Sequence, residues 1–391
     1  MFICTYWWTK KNLRPYPCNL FKKSVSILPI YFIGQCLSLD EHPLFRETII
    51  AQFSDPDYDW NSFIWTCSNH LVLPVIYLKL KKHDLLGYLP EVLALHLEEI
   101  YSLNRKRNEK ILEQMKEINA TLNAAGISPT YLKGTGNLID GIYEDIGERI
   151  VGDIDLLIPE AEYLKAVELI KEIGYVNHWG EPRNPEKLKH YPTLFKENVP
   201  VDIEIQRIPV QNEYLKFINP EMILSQKKAV DLFPGCFVPS DDHKILYSFV
   251  HSQLCNTGYR LGVISLRDSY DLYCFSKRAS LLTALAHFPV QRKVDAYFAI
   301  AEKLLGITIS VKQSLTSKVY IWKHDMNLAS PLFYKINRFP WVISELVIKG
   351  YPRRIKEACL YNDAQKLLIQ NLGSRKWYIH HLQLYKKMIT G

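Results

Sequence analysis

The hydrophobic pattern along this chain changes period twice. Over residues 39–126 apolar positions recur at three- and four-residue steps, the spacing that lines one face of an α-helix. Asp59 or Asn61 stands where it caps a helix running through Phe63, Cys67, Leu71 and Ile76, because a short polar side chain satisfies the unpaired first N–H groups. A longer helix carries Leu103, Ile111, Met115, Ile118 and Leu122. Gly126 is placed to end it, since glycine enters the left-handed region without a Cβ clash. Residues 128–133, 151–158, 175–179, 191–197 and 201–206 are then predicted strands, the last two joined by the Asn198-Val199-Pro200 turn. A helix is expected over 160–173, closed by Gly174, and another from Gly136 towards Tyr143. This alternation predicts a small sheet with at least one parallel crossover. Beyond Pro209 the pattern is helical again, with candidates at 241–256, 262–278, 292–305 and 355–371 and few strand-like runs.

The expected fold class is therefore α/β, α-rich overall, with a small mixed sheet flanked by helical regions. Its divisions are an uncertain extension (1–38), an N-terminal helical region (39–126), an α/β core (127–209) and a helical C-terminal domain (210–391). The apolar run over 27–36 is broken by Pro29 and Gly34 and falls short of the ~20 residues a bilayer requires. Nor does a small-x-small cleavage site follow it before Glu41. The start of the chain is expected to be a poorly ordered extension or a misplaced start codon, with a weak membrane-surface contact as the lesser alternative. No transmembrane segment is expected.

Composition adds little. Of 391 residues, 48% are hydrophobic and 23% charged, enough for two or three packed units. Lys and Arg exceed Asp and Glu by 48 to 41, and the basic residues read as scattered, in short groups such as 105–107 and Lys386-Lys387. Solvated helix faces account for them, and there is no strong sign of nucleic-acid binding. Eight cysteines without CxxC spacing read as reduced thiols of a cytoplasmic protein, and His380-His381 stands alone rather than in a zinc pattern.

Chemistry concentrates in Arg149-Ile150-Val151-Gly152-Asp153-Ile154-Asp155-Leu156-Leu157-Ile158. Two aspartates one residue apart on a strand share a side of the sheet. Held together amid apolar neighbours, they repel unless a cation or proton intervenes, and a hard divalent ion such as Mg²⁺ relieves this. Spacing alone is weak: Asp55-Pro56-Asp57-Tyr58-Asp59 has the same spacing but reads as a turn and cap. Val201-Asp202-Ile203-Glu204-Ile205 alternates apolar and acidic residues and supplies a third carboxylate, Asp202 as first choice and Glu204 as second. The alternative is an edge strand with a solvated acidic face.

Tyr131-Leu132-Lys133-Gly134-Thr135-Gly136-Asn137 reads as a strand entering a glycine-rich turn and then a helix, an arrangement that offers N–H groups to phosphate. Lys133 adds charge, Gly134 room and Thr135 a hydroxyl. The segment is not a Walker loop, and a purely structural turn is the competing reading. Arg149 is a candidate phosphate or carboxylate partner, against a surface ion pair with Glu144, Asp145 or Glu148. His251 either lines the cleft from the helical half or is a buried core histidine.

Leu132-Lys133-Gly134, Tyr143, Arg149-x-x-Gly152-Asp153-x-Asp155-Leu156-Leu157 and Gly174-Tyr175 together resemble the uncharacterised bacterial nucleotidyltransferase family of the polymerase-beta-like superfamily. Asn104, Arg107, Ala125-Gly126-Ile127 and Leu266-Arg267-Asp268 extend the likeness over about 40–280. The resemblance implies transfer of a nucleoside monophosphate from an NTP to an unidentified acceptor, with Mg²⁺ or Mn²⁺. Asp153 and Asp155 would bind metal, Asp202 would be third carboxylate and base, and Gly134 and Thr135 would take the place of the superfamily's Gly-Ser turn. Glu204 stands where closer relatives often carry His, which leaves open whether 202 or 204 ligates. The alternatives are a toxin-like member acting on RNA or protein and a binding module that holds an NTP without turnover.

Overall fold

The computed structural model describes residues 29–390, apart from 179 and 310–313. Four helices open it: α1 (Pro29–Leu37), α2 (Phe45–Phe53), α3 (Trp60–Asn69) and α4 (Leu73–Lys82). Asp59 caps α3 by accepting from the Ser62 N–H at 3.0 Å. The 34-residue α5 (Glu91–Ala124) follows, and the chain leaves it through Gly126 at φ +78°.

The core then runs β1 (Thr130–Tyr131), α6 (Lys133–Ile139), β2 (Ile154–Leu157), α7 (Tyr163–Glu172), β3 (Ile203–Gln206), α8 (Pro220–Ser225), β4 (Lys228–Ala229) and β5 (Phe237–Val238). Strand order is β3-β2-β1-β5-β4, with β2 and β3 parallel across α7, β1 and β5 parallel, and the remaining pairs antiparallel. The expected fold class and crossover are present. All four residues of β2 are buried, the apolar Ile154, Leu156 and Leu157 and with them Asp155.

The C-terminal half comprises α9 (Asp241–Phe249), continued as a π-helix to Cys255, then α10 (Gly258–Leu261), α11 (Leu266–Ser276), α12 (Leu281–Ala284) and α13 (Gln291–Leu305). Five further α-helices follow: α14 (Leu315–Ala329), α15 (Pro331–Ile343), continued as a π-helix over Ser344–Gly350, α16 (Tyr351–Leu360), α17 (Asn362–Leu372) and α18 (Arg375–Thr390). Among the described residues no single helix is long and apolar enough to cross a membrane.

Several local expectations change. The strand foreseen at 128–133 keeps two residues, because Lys133 adopts a left-handed φ of +50° and opens α6. Residues 175–178 and 191–197 form isolated bridges, Val176 to Phe195 and Leu194 to Ile203, rather than full strands. The sheet takes β4 and β5 from beyond Pro209, where two-residue strands give too little alternation to read. The helix expected at 355–371 breaks at Tyr361.

The largest change is at the start. Residues 1–28 lie outside the described residues, but the apolar run of the expected extension continues into α1, where Ile30, Phe32, Ile33, Cys36 and Leu37 are buried in the core. Pro29 does not interrupt this helix, since proline is tolerated in a first turn, where its missing N–H has no partner to lose. Gly34 lets α1 meet α13 backbone to backbone: a Cβ there would lie 1.8 Å from the Leu304 carbonyl oxygen. Gly34→Ala is expected to cost at least about 2 kcal/mol, because a well-packed helix pair cannot absorb the added volume without shifting. An unchanged urea midpoint would contradict this seating.

Candidate active site

The long helix α5 turns a buried polar stripe towards the segment that precedes β2. Asn104 donates to the carbonyl oxygens of Gly147 at 2.8 Å and Arg149 at 3.2 Å, and Asn108 to that of Arg149 at 2.8 Å. Arg107 donates to the Val151 carbonyl. Gln114 donates to Val201 O at 2.7 Å, at the entry of β3. These polar positions on an otherwise apolar helix face hold irregular backbone whose carbonyls have no ladder partner, and unpaired buried carbonyls are costly. The approaches to both acidic strands are thereby fixed to one rigid element.

Parallel register sets Asp155 beside Glu204, and the Asp202 carbonyl accepts from the Ile154 N–H at 2.9 Å. One carboxylate oxygen each from Asp153, Asp155 and Glu204 lies within 4.8 Å of the others. Of the two candidates for third carboxylate, Glu204 is thus the one brought to the pair. Asp202 shares its face but sits one register step earlier, is exposed and falls outside the group.

Asp155 is fully buried. Its Oδ1 accepts from the Lys133 ammonium at 2.6 Å and from the Gln206 amide, while Oδ2 has no partner. Burial raises the carboxyl of Asp155, with Lys133 pulling the other way. Burial and then the Asp155 charge raise that of Asp153. Lys133 is held above the usual lysine range: burial would push it down, but Tyr247, Asp155 and Asp153 outweigh that. Hard oxygen donors from three side chains and an unpartnered buried carboxylate oxygen fit a divalent cation.

The glycines beside Lys133 have separate tasks. A Cβ at Gly136 would fall 2.4 Å from the Tyr131 carbonyl oxygen, so this glycine permits α6 to pack on β1. At Gly134 a Cβ would meet only the Val151 side chain at 3.7 Å, and at Gly152 nothing within 4 Å, which leaves room on the approach to the acids. Thr135 is fully buried and donates its hydroxyl to Leu132 O at 3.1 Å, so it serves the turn.

Arg149 does not reach the acids. Its guanidinium grips Asp271 of α11, Nε to Oδ1 at 2.9 Å and Nη2 to Oδ2 at 2.9 Å, and Tyr143 Oη donates to the same carboxylate at 2.8 Å. The carboxylates expected to face it have other partners: Glu144 meets Lys82, Asp145 meets Arg105, and Glu148 accepts from Tyr270. Arg149 and Asp271 line a cavity of about 90 Å³ with Lys133, Gly134, His251 and Arg267. That volume holds a few water molecules or a phosphate-sized group, and nucleotide-sized sites are several times larger. Burial, with Lys133 and Lys189 nearby, pushes the His251 imidazole down to about 3, so it is neutral.

Residues 56–306 match a family model described as an uncharacterised nucleotidyltransferase. The chain belongs to that nucleotidyltransferase family. The match spans both acidic strands, α6 and the helices that carry Asp271 and His251, and stops before α14. No curated protein and no solved structure gives a match.

Three residues about this candidate site were not foreseen. Gln206 continues the face of Asp202 and Glu204 at the same two-residue step and was readable on that ground. Asp271 lies far from the acids in sequence, and Lys189, though it shortly precedes Asp202, stands in no pattern of its own, so neither gave a signal. Lys189 is half-buried and close enough to Asp155 and Glu204 to feel both charges, and its partial burial pushes its ammonium down.

Two expected outcomes follow from this geometry. Glu204→Gln weakens Mn²⁺ binding about tenfold or more, since a charged ligand oxygen is lost, whereas Asp202→Asn leaves it within about twofold. Equal effects in calorimetric titration would remove the distinction. The second concerns pH. Because the Asp153 and Asp155 carboxyls are raised in the folded chain, the metal-free pair contributes least to stability above those raised values. A divalent cation binds only the ionised pair. The Mn²⁺-induced gain in Tm is therefore small near the ordinary carboxylate value of about 4 and grows as pH rises towards 7. A gain independent of pH would contradict it.

Proposed function

We propose that this protein is a divalent-metal-dependent nucleotidyltransferase, of polymerase-beta-like type, that moves a nucleoside monophosphate from an NTP to an acceptor hydroxyl. The observation that carries the reading is the convergence of Asp153, Asp155 and Glu204, with Asp155 Oδ2 buried and unpartnered. Mg²⁺ or Mn²⁺ held there would neutralise phosphate charge and orient the triphosphate.

The chain's own residues do the rest. Asp153, Asp155 and Glu204 are the ligand set, with Asp202 at the rim as the alternative third carboxylate. Lys133, which donates to Asp155 Oδ1 at 2.6 Å, is the cation placed to meet a phosphate oxygen, and would be released for it were a divalent ion held by that carboxylate. Lys189 supplies a second positive charge on the same side. Gly134 and Gly152 leave space for the substrate, and Asp202, at the entry of β3, accepts the proton of the attacking hydroxyl. The acceptor oxygen bonds to the α-phosphorus, the bond to the bridging oxygen breaks, and pyrophosphate leaves. A cytoplasmic location, where NTP is at hand and thiols stay reduced, is part of this reading.

Incubation with each α-labelled NTP, Mg²⁺ or Mn²⁺ and cell extract should yield a labelled acceptor and pyrophosphate. Nucleotide binding without pyrophosphate release would instead make the protein a binding module. Label in RNA or protein, with growth arrest on expression, would identify the toxin-like class.

A further inference from the structure

The five helices beyond the family match are unlike the rest of the chain. From Leu315 to Gly391 there are 13 Lys and Arg against 4 Asp and Glu, an excess of nine in a chain whose total is +7. The positive charge, read along the chain as scattered, is therefore concentrated at this end, and the remainder is slightly acidic.

The same helices turn apolar side chains outward. Asn327 of α14 and Asn337 of α15 both donate to Leu261 O at 2.7 Å, which fixes the inner side of each helix. On the opposite sides Leu315, Val319 and Trp322 follow one another at four- and three-residue steps on α14, and Leu332, Ile336 and Phe339 do so on α15. Each of these six is more than half exposed. Trp322 meets Phe333 edge-on with ring centroids 5.5 Å apart, so the two helices are in contact beside their stripes. Exposed Lys318 and Lys335 directly precede Val319 and Ile336 of the stripes, and α16 adds exposed Arg354 and Lys356. Helices of a folded protein normally bury such a stripe, and contiguous apolar surface left outside marks an interaction site.

We propose that α14–α16 form a peripheral docking face for an anionic lipid surface. Aliphatic and aromatic side chains flanked by lysine and arginine suit the boundary between acyl chains and acidic headgroups. A nucleic acid would satisfy the cations but leave Leu315, Leu332 and Ile336 without an apolar partner. A second copy of this chain would bring two strongly basic faces together. The face is independent of the acidic triad, and it places the catalytic core beside a membrane without spanning it.

The test is flotation of the full-length protein with vesicles of phosphatidylcholine alone or mixed with phosphatidylglycerol, at low and high salt. Partitioning onto the phosphatidylglycerol vesicles is expected, with about tenfold less onto phosphatidylcholine and a marked loss at high salt. Ile336→Glu with Phe339→Glu should lower it by tenfold or more, as should Lys318→Glu with Lys335→Glu, with melting temperatures unchanged because all four side chains are exposed. No binding to phosphatidylglycerol vesicles, or binding indifferent to both double variants, overturns the proposal. So does light scattering that shows a dimer dispersed by Ile336→Glu, or variant-sensitive binding of RNA without binding of vesicles.

Discussion

Asp155→Asn is expected to lower metal-dependent NTP turnover about 10³-fold, the scale seen when one preorganised charge-stabilising group is removed from a catalytic site. Asp155 is the buried member of the triad and the one with an unpartnered oxygen, so no neighbour substitutes for it. The same change leaves the Lys133 ammonium facing a neutral amide, and some stability is lost with it. Asp153→Asn separates the two effects. Asp153 is only partly buried, and the charge its substitution removes opposes folding, so turnover falls similarly while the melting temperature holds or rises. Normal turnover in both variants would dissolve the assignment of these residues.

Arg149→Ala is expected to cost about 3–5 kcal/mol, the range found when one partner of a buried ion pair is removed. The side chains of Arg149 and Asp271 are each only 9% exposed, and the truncated pair leaves an uncompensated carboxylate between the sheet core and α11. Replacing both, Arg149→Met with Asp271→Leu, should recover much of that loss, because two apolar side chains leave no charge stranded. Urea unfolding of the three variants measures it. A loss under about 1 kcal/mol for Arg149→Ala would show that the clamp does not join the two halves.

The acidic strand was legible because two constraints coincide there: apolar neighbours fix the strand, and spacing by two fixes the side. The same rule found the β3 acids but not which one contributes. That choice depends on register between strands, which sets Glu204, not Asp202, opposite Asp155. Register is a non-local property and leaves no mark within either segment. Arg149 shows the same limit, since its partner lies 122 residues away on α11. The glycines of 134–136 marked a turn correctly, yet the left-handed residue is Lys133 and Gly136 serves helix–strand contact. At the other end, α1 was hidden by Pro29 and Gly34. Both break helices in isolation and are tolerated here for positional reasons that only the packing against α13 reveals.

The most direct measurement is anomalous scattering from crystals grown with Mn²⁺ and a non-hydrolysable NTP analogue. A manganese peak bounded by Asp153, Asp155 and Glu204, with triphosphate oxygens on its open side, is the expected result. Manganese elsewhere, or a nucleotide bound with these three carboxylates unligated, would contradict the account.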